Sequence, residues 1–535
     1  MPRVISPEAR KAGLAAFAGA SAVAALGLAA TADAPGREKA GSVEVQILGV
    51  NDFHGHLDPP RAVRREGGGP AVPVGGAAAL DAHLDRAEES HPRRTIRVHA
   101  GDMVGATPLI SSHFHDEPSI RAANLMDFDV GTLGNHEFDE GGDELARLLE
   151  GGRRNDGRQF KTTVDGRKAN TSAANFEGST HPWIAAKTVD TAGRLNLPPT
   201  KVIDRDGVKV GFIGVTTERT GRFLLSEHGE RFRWLDISTV VNRHARDLQA
   251  RGVQAIVVLA HSGAFPGAGR ASVASGEIID ETREMSGAID VVVAGHSQSE
   301  LNERVPNRDG PGDKLVVESL AYGTAFDRVR LTIDRDTGQV LGKAADTPRT
   351  WNDEVTPDPE QVTLRERYRD LLGGMGDRVL GNAETTLERK HPSAAGGNLG
   401  TVAARAQRRL AGADFAFVDG HDMRAPVSAG PITYAELFEA HAYEHPVMRM
   451  TLTGAEVREL LVQQADPVRG DALHVAGPGV EDIDPEKNYS VAANRLLVDR
   501  GEVDVFRRGN REMESVGTDL EAMVAEVERS AGVIR

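Results

Sequence analysis

Residues 130–142 read VGTLGNHEFDEGG. Val130 to Leu133 have the β-branched, apolar character of a short buried strand. The run stops at Gly134, and Asn135, His136, Glu137 and Asp139 then arrive within five residues. An amide, an imidazole and two carboxylates on one tight turn are costly to desolvate unless they share a ligand. One such turn is ordinary, so the meaning depends on whether the chain repeats it.

The chain repeats it at four other strand ends. VQILGV runs into NDFHGH, giving Asp52 and His54; TIRVHA runs into GD, giving Asp102. AIVVLA runs into HSG, giving His261, and DVVVA into GHSQ, giving His296 and Gln298. Ligands of open α/β sheets bind at the carboxyl ends of the strands, and the neighbouring glycines let the backbone turn sharply there. Two carboxylates, three imidazoles and two amides exceed the needs of one tetrahedral ion. They suit two ions sharing a bridging carboxylate. Such a pair, about 3.5–4 Å apart, can clamp a phosphoryl group and lower the pKa of bound water.

The totals are compatible with this. A length of 535 residues predicts two to four domains, and 39% apolar content supplies ordinary cores. A net charge of -16 with no concentrated basic segment argues against a nucleic-acid polymer as partner. The absence of cysteine restricts any metal site to nitrogen and oxygen ligands. Residues 1–32 have a weakly basic start (Arg3, Arg10, Lys11), a short Ala/Leu-rich run and a small-residue ATA, the order of a cleaved secretory signal. An uncleaved anchor is the alternative. No second apolar run is long enough to span a bilayer.

Residues 33–42 read as a polar leader, and residues 43–345 as one α/β layered domain of strands alternating with helices. Within it, residues 59–76 read as a Gly/Pro-rich loop, a solvated insertion, with a lid as the alternative. Residues 346–379 turn polar and Pro-rich and then offer a connecting helix, EQVTLRERYRDLLGGMG, ended by glycines. A second domain, 380–535, has its own strand and helix signals.

At the five motifs the sequence resembles the calcineurin-like metallophosphoesterases. More closely it is similar to the 5'-nucleotidase family, including the bacterial UDP-sugar hydrolase/5'-nucleotidases; DGVKVGFIGVTT (206–217) adds to the likeness. The resemblance implies a four-layer β-sandwich flanked by helices, joined by a helical linker to a smaller α+β domain. It implies one metal site from Asp52, His54, Asp102 and Gln298. A second would use Asn135, His261 and His296 with Asp102 as the bridge, the ions being zinc or manganese. His136 would protonate the leaving oxygen or stabilise charge on the phosphoryl group, held by Asp139. Glu137 keeps a structural or capping role.

In the second domain GGNLGTVAARAQ, AGPITYAELF and LTGAEVRELL resemble the C-terminal domain of that family. Its substrate loop falls on DGHDMR (419–424), which offers Arg424 for phosphate and Asp419 where asparagine is usual; Asp422 replaces a glycine. Tyr443 of AYEH stands at the first base-stacking position, and Arg495 where the second aromatic is expected. His56, His99, His113, His115, His421 and His445 read as structural. The expected activity is that of an exported two-metal phosphoesterase acting on nucleoside 5'-monophosphates or related nucleotides. The alternatives are a phosphatase or cyclic-nucleotide diesterase for another small ester, and a non-catalytic secreted binding protein.

Overall fold

The computed structural model describes residues 41–163, 166–267, 273–389, 399–441, 443–464, 473–499, 504–508, 511–530 and 533–534. The segment read as a secretory signal lies outside the described residues, as does nearly all of the polar leader.

Two six-stranded sheets form the larger part. The first runs in the order Val340–Asp346, Asp327–Asp334, Ser42–Val50, Thr95–His99, Val130–Thr132, Trp183–Ile184. The second runs Thr200–Arg205, Val208–Thr216, Ala255–His261, Val291–Ala294, Asp313–Ser319, Glu300–Pro306. The middle strands of both are parallel and buried on both faces, which explains their near-continuous Val/Ile/Leu character.

The side-chain alternation of the first strand builds two layers. Val43, Val45 and Ile47 face the second sheet and meet Phe212, Val257, Leu259 and Val293. Leu48 and Val50 enter the other layer with Leu80, Leu84 and Ile120 of the covering helices. On the far side, Ile213, Val215, Ile256 and Val258 pack under the helices Ile237–Ala250 and Glu277–Glu284. Helix, sheet, sheet and helix are thus four layers, as expected. Each fully buried aliphatic side chain contributes roughly 1.5–3 kcal/mol, so the sheet–sheet layer is the rigid base of the site.

Register aligns the site turns. Val50 pairs with His99, and His99 with Gly131, so three strands of the first sheet release their turns at one level. Ala260 pairs with Ala294 and does the same in the second sheet.

Two local readings change. Residues 59–76 are not an irregular loop: Arg61–Arg64 and Ala71–Val74 form an antiparallel hairpin around left-handed Gly67, Gly68 and Gly69. Four-residue strands are too short for their pattern to outweigh flanking Gly and Pro. Ser42 opens the first strand instead of closing the leader. A second hairpin, Phe160–Thr162 with Lys168–Asn170, had no clear sequence pattern.

The helix Pro359–Leu372 begins at Asp358, whose carboxylate caps the Glu360 and Gln361 amides, and stops at left-handed Gly373. It packs against the first part of the chain. Gln361 Nε2 donates to Asp81 Oδ2 at 2.8 Å and to Ala122 O at 3.0 Å, and Tyr368 is buried against Phe114. Beyond it a five-stranded sheet (His474–Ala476, Phe415–Val418, Asn488–Asn494, Pro446–Thr453, Glu514–Thr518) packs with the helix Leu399–Ala411, and a three-stranded sheet lies beside the helix Asp519–Arg529. Among the described residues no helix is long and apolar enough to cross a membrane.

Candidate functional site

The five turns meet. Asp102 Oδ2 lies 3.7 Å from His54 Nε2 and 3.0 Å from His261 Nε2. His54 Nε2 is 3.8 Å from Asp52 Oδ1 and 3.4 Å from the Gln298 amide. His261 Nε2 is 3.1 Å from Asn135 Oδ1, and the His261 and His296 rings are 5.2 Å apart. Potential ligand atoms of Asp102, His261 and His296 lie within 4.8 Å of one another, as do those of His54, Asp102 and His136. Asp102 is common to both groups.

Each side chain is aimed by a second contact. His54 Nδ1 sits 2.8 Å from Gly105 O and His261 Nδ1 2.8 Å from Ala100 O, which turns both Nε2 atoms toward Asp102. The His296 amide donates to Asp52 Oδ2 at 2.8 Å, and Asn51 Nδ2 donates to the same oxygen at 2.8 Å. The other oxygen of Asp52 is buried with no hydrogen-bond partner among the described residues. An acidic oxygen left bare beside imidazole nitrogens fits a cation ligand better than a structural carboxylate. The donor set is all nitrogen and oxygen and is divided by one central carboxylate. It suits two divalent cations.

The backbone carries strain at the same places. Asp52 (φ 49°), His54 (46°), Asp102 (52°), His296 (80°) and Gln298 (54°) are all left-handed. Asp and His tolerate that region better than most residues, and such strain collects at functional sites.

Glu137 explains how the turns hold together. Its carboxylate accepts from the amides of Asp102 (3.0 Å), Met103 (2.8 Å) and Gly134 (2.5 Å). It therefore ties the GD turn to the GNHE turn. Other supports carried no recognisable motif. Tyr322 OH reaches Gln298 Oε1 at 3.3 Å, and Glu318 accepts from Ser297 Oγ at 2.7–2.8 Å. Both lie some twenty residues past the last motif, in a stretch that reads as plain strand and turn.

Burial and the neighbouring charges set the electrostatics. Burial would raise Asp102, but His261 and His136 outweigh it and hold the carboxyl well below its usual range. Burial would lower His261, yet Asp102 wins and pushes the imidazole up to about 10. His296, with weaker opposing charge, is held by burial at about 4. A carboxylate under such positive pull is built to stay ionised.

His136 Nδ1 is 2.7 Å from Asp139 Oδ2, which fixes the ring and leaves Nε2 for another partner. The C-terminal part reaches into the same place. Arg424 Nη2 is 3.4 Å from His54 Nε2. The Tyr443 ring stacks near-parallel on His136 at 6.0 Å and on His445 at 5.1 Å, with the Arg424 guanidinium 5.9 Å from its centre. His136, Asp139, Tyr443 and Arg495 line one cavity of about 540 Å³. Asp422 turns away, its carboxylate accepting from Asn494 Nδ2 at 2.7 Å in the interior. Asp419 is buried at the end of the strand Phe415–Val418 and has no place in the cavity wall. The Arg495 Nε is bound by Asp499 at 3.0–3.1 Å.

Two family models match the chain: calcineurin-like phosphoesterase over residues 45–300, and 5'-nucleotidase, C-terminal domain, over residues 379–488. An endonuclease of Bacillus subtilis is 29% identical over 436 residues, covering 81% of this chain and 34% of that protein. A cell wall protein of Listeria monocytogenes is 31% identical over 461 residues, covering 79% of this chain and 56% of that protein. The chain thus spans about a third and about half of the length of these two relatives. Among solved structures, a 5'-nucleotidase precursor from Thermus thermophilus superposes with a TM-score of 0.74 at 22% identity, over 92% of this chain and 97% of that one. Taken with the site just described, the two models place the chain in the 5'-nucleotidase family, a calcineurin-like phosphoesterase region followed by a 5'-nucleotidase C-terminal region.

Proposed function

We propose that the protein is a dinuclear-metal phosphoesterase that hydrolyses nucleoside 5'-monophosphates or related nucleotides to nucleoside and phosphate. The observation that carries this is Asp102 Oδ2, 3.7 Å from one ligand cluster's imidazole and 3.0 Å from the other's. Residues 43–345 would carry the centre, residues 346–379 the connection, and residues 380–535 Arg424 and Tyr443. Asp52, His54, Asp102 and Gln298 would hold one ion and Asp102, Asn135, His261 and His296 the other.

Two zinc or manganese ions there would polarise the phosphoryl group and acidify a water. The chain's own residues do the rest. Arg424 offers a planar fork matched to phosphate oxygens. His136, oriented by Asp139, presents Nε2 to the leaving oxygen, either giving it a proton or stabilising charge on the phosphoryl group. Tyr443 and the buried turns limit water around the reacting group. An exported site of action is part of the same reading and is supported by the cell-wall description of the Listeria relative.

A phosphatase or cyclic-nucleotide diesterase for another small ester is the second reading. Arg495 in the cavity wall, where an aromatic ring was expected, favours it. The deciding experiment loads the protein with zinc or manganese and measures release from nucleotides, sugar phosphates and cyclic nucleotides. His136→Ala should abolish turnover while metal content stays at two ions. Turnover that survives in that variant refutes the mechanism, and preference for a baseless ester refutes the nucleotidase reading.

A further inference from the structure

The hairpin Phe160–Thr162/Lys168–Asn170 belongs to the first part of the chain yet borders the cavity completed by the second. Phe160 is 47% exposed. Among the described residues only Phe265 is an equally open phenylalanine, and it lies away from the cavity wall. No other ring packs on Phe160 among the described residues. An apolar ring left open to water on a paired strand is an unused contact surface. The backbone beneath it is fixed, since Phe160 is in register with Asn170.

Position gives the surface a purpose. Lys161 Nζ is 3.0 Å from Glu444 Oε2. Phe160 and Tyr443 are each one residue from this ion pair, which joins the hairpin to the segment carrying Tyr443. A half-exposed pair adds little stability, but it sets the spacing of what flanks it. Tyr443 stacks toward His136, so a leaving group departing past His136 enters the space that Phe160 borders. Phe160 also borders an adjoining cavity of about 400 Å³ and stands at the partition between the two. Arg495, the other candidate platform, has its guanidinium held by Asp499.

We propose that Phe160 is a specificity-determining residue, the aromatic face on which the planar base of a nucleotide's leaving group stacks. The proposal rests on the phosphoesterase reading above and assigns base recognition to the hairpin of the catalytic part. A flat π-face receives any base and gives no advantage to an ester without a ring.

The test compares kcat/KM for adenosine 5'-monophosphate and for glycerol 3-phosphate in the wild type, Phe160→Leu, Phe160→Ala and Phe160→Trp, each loaded with the same metal. The leucine and alanine variants should lower the nucleotide-to-glycerol-phosphate ratio roughly tenfold, through KM rather than kcat, and tryptophan should restore it. Leucine keeps the apolar bulk, so a wild-type ratio in that variant overturns the proposal alone. An equal fall for both esters overturns it as well, by showing a structural role. A wild type that hydrolyses neither ester overturns the phosphoesterase reading and the proposal with it.

Discussion

Replacing Glu137 by alanine should loosen the metal centre without touching a ligand. The carboxylate satisfies three buried backbone amides, those of Asp102, Met103 and Gly134. A buried donor left without an acceptor costs roughly 2 kcal/mol, so the gross loss is about 6 kcal/mol. Part is recovered. Burial, reinforced by Asp102, pushes the Glu137 carboxyl from 4.5 to about 7. Keeping it ionised above pH 7 in the metal-free protein therefore costs about 3 kcal/mol, which the alanine variant no longer bears. The net, about 3 kcal/mol, falls on the two turns that present Asp102 and Asn135. Since Asp102 serves both clusters, affinity for both ions should fall about 10–100-fold. Competition with a chromophoric chelator measures it, alongside urea unfolding of the metal-free and metal-loaded protein. Glu137→Gln keeps one acceptor oxygen and should fall between. Wild-type affinity for both ions in the alanine variant would show that the turns hold without this tie.

Three further outcomes follow from the same geometry. Asp102→Asn should drop the metal content from two ions to fewer than one, read by elemental analysis after desalting, because the shared oxygen belongs to both clusters; retention of one full ion refutes the bridge. Arg424→Lys should lower kcat/KM roughly tenfold or more with metal content unchanged, since an ammonium cannot replace the planar fork. Acid should unfold the protein through His181. Its Nε2 lies 2.9 Å from His99 Nε2, which leaves room for one proton between them, and burial holds His181 at about 4 against 6.5 when unfolded. The unfolded chain binds more protons in that window, so this stability is full above pH 6.5 and about 3 kcal/mol is lost by pH 4. A urea midpoint that does not move between pH 6.5 and 4 contradicts it.

The site was more legible than its surroundings, for physical reasons. Asp52, Asp102, His261 and His296 follow strands whose apolar runs are unmistakable, so strand ends and side-chain chemistry could be read together. The residues that aim them could not. Asn51 and Glu137 sit inside the motifs but look like any turn residue until their partners are known. Tyr322 and Glu318 act from more than twenty positions past the turn they support, and no periodicity marks them. Asp422 stands in the loop that matches the family's phosphate grip, yet its carboxylate accepts from Asn494 Nδ2 in the interior, a partner 72 positions away that no local pattern announces. The strands Phe160–Thr162 and Lys168–Asn170 are three residues each, shorter than any sequence pattern can establish.

The glycines between the turns carry one more consequence. A methyl group on Gly101 would come within 2.4 Å of the Gly134 amide nitrogen, and one on Gly134 within 2.1 Å of Asp102 Oδ1. The two turns lie backbone against backbone with no slack between them. Whatever freezes one therefore freezes the other, and its ordering entropy is spent only once. Uptake of the first cation should accordingly favour the second, giving a sigmoidal titration and few singly loaded molecules at half saturation.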